Sequence, residues 1–168
     1  MKKLIVLRHA KTEADAVDDW HRSLTDRGRA QARSLGPAVA ALGVENLVVY
    51  VSTALRAVQT WEEIAPALGP GVDVRRTDDL YTFDVDDVLQ MLRTIDEDVT
   101  SAMVVGHNPA LSYLTSMISG DELPNDPEVA KNGALRTCRG AVLEYDGLWC
   151  DLDSQDCGVD QYLVPTVD

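Results

Sequence analysis

Residues 4–9 read Leu-Ile-Val-Leu-Arg-His, a short apolar run that leads directly into a cation and an imidazole. A run of this length is typical of a strand buried on both faces of a sheet. Two later apolar runs also lead into a polar residue. Leu47–Val51 is followed by Ser52, and Ala102–Val105 is followed within two residues by His107. Each predicted strand therefore ends at a polar side chain.

Amphipathic stretches at helical spacing separate these runs. Thr25 and Asp84 are suited to cap helices, Gly43 to end the first helix, and Asn108 with Pro109 to cap and open another. Strands that alternate with helices predict a mostly parallel sheet covered on both faces. The expected fold class is α/β, a three-layer α/β/α sandwich.

The carboxyl-terminal part of the chain gives a different pattern. Ala141–Tyr145 and Leu148–Leu152 flank an Asp-Gly pair, which predicts a β-hairpin that closes the sheet. The residues from Ser154 onward are polar and are predicted to wrap the surface or fray. A length of 168 residues suits one domain, so residues 1–168 are predicted to form a single domain.

Composition excludes several classes of function. A hydrophobic content of 45% predicts a folded chain, and a net charge of −13 opposes binding to nucleic acid or to anionic membranes. No apolar run is long enough for a signal-peptide core or a membrane span, so a cytoplasmic location is expected. The three cysteines lack the close spacing of zinc or redox pairs, and we expect them to be reduced.

The polar residues at the strand ends predict a common site. Carboxyl ends of parallel strands share one edge of a sheet, so Arg8, His9, Arg56 and His107 are expected to become neighbours there. Helix amino termini point toward the same edge. Two guanidinium groups and two imidazoles suit a compact dianion, and phosphate matches the bidentate geometry of arginine.

The ordered motifs of the chain resemble the histidine phosphatase superfamily, also called phosphoglycerate mutase-like. They are Leu7-Arg8-His9-Ala10, Ser52-Thr53-Ala54-Leu55-Arg56-Ala57 and Val104-Val105-Gly106-His107-Asn108-Pro109. The short length, Ala10 after the first histidine and the stretch Asp19–Gly28 are most similar to the SixA-type phosphohistidine phosphatases. The resemblance runs from Lys2 to about Ile118.

The resemblance implies a metal-independent phosphatase with no cofactor. His9 would be the nucleophile and form a transient phosphohistidine, while Arg8, Arg56 and His107 would hold the phosphoryl oxygens. Asp19 is similar to an acidic position of SixA-type members, and the resemblance makes it the candidate for contacting the leaving group. The proton-donating acid that larger relatives place after the second arginine motif has no convincing match here. Arg22 and Ser52 are additional candidates for substrate binding, with a loop salt bridge as the alternative for Arg22. The implied substrate is a phosphohistidine protein such as a histidine-phosphotransfer domain.

Three alternatives remain open from the sequence. The chain could be a phosphatase for a small phosphorylated metabolite, which a long lid loop would favour; only residues 11–24 and 120–133 are available for a lid. It could be an inactive relative that binds phosphorylated ligands, although His9 and His107 are both present. A metal site built from these histidines and nearby aspartates is a third reading, which the adjacent arginines oppose because they repel a cation.

Overall fold

A computed structural model describes all residues from 1 to 168. Its centre is a six-stranded sheet with the strand order β3-β2-β4-β1-β7-β8. The strands are β1 Lys2–Arg8, β2 Val48–Ser52, β3 Asp73–Thr77, β4 Ser101–Gly106, β7 Gly140–Tyr145 and β8 Cys157–Leu163. The helices are α1 Asp26–Ala40, α2 Leu55–Ile64, α3 Val85–Arg93 and α4 Ala110–Ser119, and a small hairpin is formed by β5 Ala130–Lys131 and β6 Ala134–Leu135.

The sheet is parallel over its first four strands and antiparallel at one side. β1 pairs in parallel with β4, and β2 lies in parallel between β3 and β4. β7 pairs antiparallel with β1, and β8 pairs antiparallel with β7. The prediction of a mostly parallel α/β fold is therefore confirmed.

Alternate residues of each central strand enter two separate apolar cores. Leu4 and Val6 of β1 belong to the core that α3 and α4 cover, whereas Ile5 and Leu7 belong to the core that α1 and α2 cover. All four side chains are completely buried. Burial of each such side chain contributes about 1.5–3 kcal/mol to folding. This two-sided burial produces the three-layer sandwich.

Two predicted helix caps are confirmed, and a third differs by one residue. The Thr25 side chain accepts a hydrogen bond from the Gly28 backbone N–H, and the Asp84 side chain accepts one from Asp86. Asn108 does not cap α4, because Pro109 occupies the cap position. The Asn108 side chain instead accepts a hydrogen bond from Ser112 Oγ.

The predicted carboxyl-terminal hairpin is wrong. Ala141–Tyr145 lies in a strand, but its antiparallel partner is β8, residues Cys157–Leu163, and not Leu148–Leu152. Trp149–Asp151 instead forms a short 3-10 helix, and the Trp149 side chain is completely buried in the core that α3 and α4 cover, with its Nε1–H donating to the Val99 carbonyl. The tail from Ser154 does not fray, since it supplies β8.

No helix in the structure combines the length and apolar character required to cross a membrane.

Candidate active site

The carboxyl ends of β1, β2 and β4 meet at one edge of the sheet. Arg8 stands opposite Gly106 in the register of β1 and β4, and the His9 N–H donates to the Gly106 carbonyl at 3.0 Å. The helices α2 and α4 begin immediately after β2 and β4, so their amino termini also lie at this edge. Backbone N–H groups of a helix amino terminus favour a bound anion.

His9 is held with one ring nitrogen fixed and the other free. His9 is only 7% exposed, and its Nδ1 is 2.8 Å from the Ala10 carbonyl oxygen. Because a carbonyl oxygen can only accept, Nδ1 must carry the proton, which leaves the lone pair on Nε2. Burial lowers the pKa of His9 to about 3, despite the opposing hydrogen bond to Ala10. The ring is therefore neutral near pH 7.

His107 faces His9 across the site. Their ring centroids are 5.3 Å apart and the ring planes are tilted by 55°. His107 Nε2 lies 2.7 Å from Ser52 Oγ, while the buried Nδ1 has no hydrogen-bond partner in the protein. Burial, reinforced by the charge of Arg56, lowers the pKa of His107 to about 4. With the Ser52 hydroxyl as donor to Nε2, Nδ1–H is available to an anion.

Each of the two predicted arginines also has a buried nitrogen without a partner, and both positive charges lie close enough to His9 to lower its pKa. Arg56, the second residue of α2, is 2% exposed, and its buried Nε has no partner in the protein. Arg8 donates from Nη1 to the Leu135 carbonyl at 2.7 Å, and its buried Nε is also unpaired. Buried polar groups are rarely left without partners in native proteins, so unpaired donors on neighbouring side chains indicate a binding site.

Asp19 lies against Arg56 as an anionic partner. Arg56 donates from Nη1 to the Asp19 carbonyl at 2.8 Å and from Nη2 to Asp19 Oδ2 at 3.0 Å. Partial burial raises the pKa of the Asp19 carboxyl, but hydrogen bonds from Tyr81 and Arg56 and nearby positive charges outweigh it, so the net pKa is lowered. Asp19 is consequently a carboxylate near neutral pH, which disfavours proton donation.

Arg22 is placed beside the site through Asp19. Its Nε lies 3.1 Å from Asp19 Oδ1, and its Nη1 donates to Thr12 Oγ1. The loop that carries both residues is fixed to α1, where the Thr25 N–H donates to the Lys11 carbonyl. A side chain at Gly28 would come within 2.1 Å of that carbonyl oxygen, so this close approach requires glycine.

Tyr81 is a neighbour of the site that the sequence reasoning missed. Its hydroxyl donates to Asp19 Oδ2 at 2.8 Å, and its ring centroid is 5.7 Å from that of His107. The stretch that contains Tyr81 follows β3 at the same sheet edge. Applying the strand-end argument to every polar residue after β3 would have included this tyrosine.

Comparison with known proteins agrees with this geometry. The family model of the histidine phosphatase superfamily, branch 1, matches residues 4–112. The chain belongs to the histidine phosphatase superfamily. Its relatives place it in the SixA-type branch: it is 31% identical over 124 residues to the phosphohistidine phosphatase SixA of Escherichia coli, covering 73% of this chain and 77% of that protein.

Solved structures of SixA-type proteins have the fold of this phosphatase. A SixA-like protein of Nakamurella multipartitia superposes with a TM-score of 0.81 at 29% identity, covering 98% of this chain and 96% of that one. The protein histidine phosphatase SixA in complex with tungstate superposes with a TM-score of 0.78 at 25% identity, covering 97% of each chain. The α/β sandwich is thus the SixA fold.

A separate cavity of about 710 Å³ lies at the opposite edge of the sheet. Its walls include Val48, Asp73 and Val99, at the amino ends of β2 and β3 and just before β4. None of the predicted site residues lines it. The candidate active site lies instead at the carboxyl edge of the sheet, around His9 and His107.

Proposed function

We propose that this SixA-type phosphatase removes the phosphoryl group from a phosphohistidine protein through a covalent intermediate on His9. One observation carries the proposal: the neutral, unprotonated Nε2 of His9 shares its site with unpaired buried nitrogens of Arg8, Arg56 and His107. The set combines a nucleophile with donors for phosphoryl oxygens. This is the arrangement that phosphoryl transfer requires, since catalysis rests on positioning and on stabilisation of the moving charge.

In the first step the lone pair of His9 Nε2 forms a bond to phosphorus while the bond from phosphorus to the leaving nitrogen breaks. Arg8, Arg56 and His107 hold the three non-bridging oxygens as the phosphoryl group moves in line. The hydrogen bond from Nδ1 to the Ala10 carbonyl stabilises the positive charge that develops on the His9 ring. In the second step water attacks phosphorus, and Nε2 leaves with its electron pair.

The state of Asp19 supports a phosphoramidate substrate. Its lowered pKa keeps the carboxyl ionised, so it is a poor source of the proton that an alcohol leaving group needs. In phosphohistidine the ring nitrogen that is not bonded to phosphorus can carry a proton, so the imidazole leaves as a neutral ring and needs no proton from the enzyme. Asp19 contacts the leaving group through its charge. Arg22 and Ser52, which the sequence suggested for substrate binding, take supporting roles: Arg22 holds the Asp19 carboxylate and Ser52 orients His107.

The relatives support the same reaction. One is named a phosphohistidine phosphatase, and another was captured with tungstate, a tetrahedral oxyanion with the shape of phosphate.

Metal independence belongs to the proposal as well. The cationic lining supplies the charge stabilisation that a divalent ion gives in other phosphatases, and it opposes cation binding. We expect kcat/KM to be unchanged by a chelator; strict dependence on added metal would contradict the mechanism.

The test compares substrates by leaving group. Wild type and His9→Asn are assayed with a phosphohistidine-bearing histidine-phosphotransfer domain, phosphoramidate, an aryl phosphate and a panel of sugar phosphates and nucleotides. We expect the phosphohistidine protein to give the highest kcat/KM and His9→Asn to be inactive on every substrate. A sugar phosphate or nucleotide that exceeds the phosphohistidine protein by orders of magnitude would assign the enzyme to a metabolite. No turnover of any substrate would indicate a binding protein.

A further inference from the structure

A second pocket opens beside Arg8 and shares that residue with the candidate active site. It has a volume of about 310 Å³, and its lining includes Arg8, Lys131, Asn132, Arg136 and Thr137. Three of these residues are cations, and no acidic residue lines the pocket. The chain as a whole has a net charge of −13, so this pocket is a locally positive region on a negatively charged protein. It favours an anionic group at one particular place.

The two outer cations of the pocket, Arg136 and Lys131, differ in whether a nearby carboxylate compensates their charge. Arg136 donates to the Pro127 carbonyl and lies 3.6 Å from Asp168 Oδ1, so its charge is partly compensated. Lys131 is exposed, and no carboxylate lies within 4.0 Å of its ammonium group. Of these two outer cations, Lys131 therefore carries the uncompensated charge. A lysine ammonium is a compact point charge that can meet a partner from several directions.

The pocket is held at a fixed position relative to the phosphoryl site. Lys131 belongs to the β5–β6 hairpin, whose turn residues Asn132 and Gly133 have φ of +54° and +75°. Residues with positive φ at both turn positions give a tight two-residue turn that suits paired strands. The completely buried Leu135 follows in β6, and its carbonyl accepts hydrogen bonds from both Arg8 and Asn108. One backbone carbonyl thus joins the hairpin to the active site.

We propose that this pocket receives a carboxylate side chain of the phosphorylated partner protein, with Lys131 as its main contact. The inference rests on the proposed phosphohistidine protein substrate. A second phosphate group would compete with the transferred phosphoryl group for Arg8, whereas a singly charged carboxylate needs only the ammonium of Lys131. The exposed position of Lys131 suits a group presented on a protein surface. The hairpin would then select phosphohistidines that have an acidic residue nearby.

The experiment uses phosphohistidine peptides in matched pairs, with Glu in one member and Gln in the other at positions moved along the sequence. Wild type, Lys131→Gln and Lys131→Arg are compared with Lys3→Gln, which removes the same charge at the amino end of β1. For the best Glu peptide, Lys131→Gln should lower kcat/KM about two- to fivefold through KM, as expected for an exposed ion pair. Lys131→Arg and Lys3→Gln should match wild type.

Lys131→Gln should leave kcat/KM for the Gln peptides and for phosphoramidate unchanged. On the Glu peptide, the difference in kcat/KM between wild type and Lys131→Gln should shrink at high salt. Equal effects on Glu and Gln peptides would overturn the assignment of the pocket while leaving the phosphohistidine function intact. A larger effect on bisphosphorylated small molecules than on the peptides would assign the pocket to a metabolite and also overturn it. Failure of wild type on every phosphohistidine peptide, with turnover of aryl phosphate, would refute the proposed function itself.

Discussion

The imidazole rings of His9 and His107 face each other with centroids 5.3 Å apart, at the ends of two neighbouring parallel strands. The first ring presents an unprotonated Nε2, and the second has a buried, unpaired Nδ1. In the proposed reaction the first ring attacks phosphorus and the second donates to a phosphoryl oxygen. Both rings are kept neutral by burial, which lowers the pKa of each below its ordinary value.

His9→Asn should reduce kcat/KM for phosphoramidate by about a thousandfold or more, because it removes the nucleophile of the covalent route. The asparagine amide can still donate to the Ala10 carbonyl, so the local backbone is preserved. Acid quenching with radiolabelled substrate should trap phosphate on wild type and none on the variant. The control is His21→Asn, an exposed imidazole paired with Asp18, which should stay within about twofold of wild type. Appreciable activity in His9→Asn would contradict the assignment.

Ser52→Ala should lower kcat about tenfold, because His107 loses the hydroxyl that sets its tautomer and ring position. Ser52→Thr keeps the hydroxyl and should restore part of the rate. A pH profile of kcat provides the second measurement, since loss of the partner at Nε2 should displace the limb that reports His107. Ser119→Ala, at the end of α4, serves as the control. A purely structural role for Ser52 would reduce stability without moving the profile.

Asp19→Asn should make inorganic phosphate a stronger competitive inhibitor, with an inhibition constant about threefold lower or more. The carboxylate lies 3.0 Å from Arg56 Nη2, so it competes with a bound anion for the same guanidinium. Asp18→Asn is the matched control, because Asp18 is the adjacent acid and contacts His21 instead. Unchanged or weaker phosphate inhibition in Asp19→Asn would show that Asp19 does not oppose anion binding.

Acidification should destabilise the folded protein through its buried histidines. In the unfolded chain a histidine has a pKa of about 6.5, whereas the folded values are about 3 for His9 and about 4 for His107. The neutral rings therefore impose no cost above about pH 6.5. As pH falls toward 4, the unfolded chain takes up protons that the folded chain excludes, and stability is lost.

The size of this effect can be measured with His9→Asn. Between pH 7 and pH 4.5, urea denaturation should show a smaller loss of unfolding free energy in the variant, by roughly 2 kcal/mol. Ser119→Ala, at the end of α4, changes no titrating group and should follow wild type. An equal loss in wild type and His9→Asn would mean that His9 is not kept neutral by the fold.

The secondary structure that depends on local pattern was predictable. The apolar run before Arg8 became β1, and Thr25 and Asp84 cap helices as their side chains allow.

The strand in the carboxyl-terminal tail could not be predicted from local pattern. β8 is an edge strand in which Cys157 and Leu163 are buried while Gly158 and Asp160 are exposed, so its polar composition conceals it.

The sequence by itself determined which residue types stand at the ends of the central strands, because the alternation of strand and helix brings those ends to one edge. Only the tertiary structure decided which atoms are paired there: the Ala10 carbonyl with His9 Nδ1, Ser52 with His107, and Asp19 with Arg56. The physical reason is that a strand or helix follows from local periodicity, whereas a hydrogen-bond partner depends on packing between segments that are distant in the chain. Backbone groups such as the Leu135 carbonyl carry no sequence signal at all, and yet that carbonyl positions Arg8.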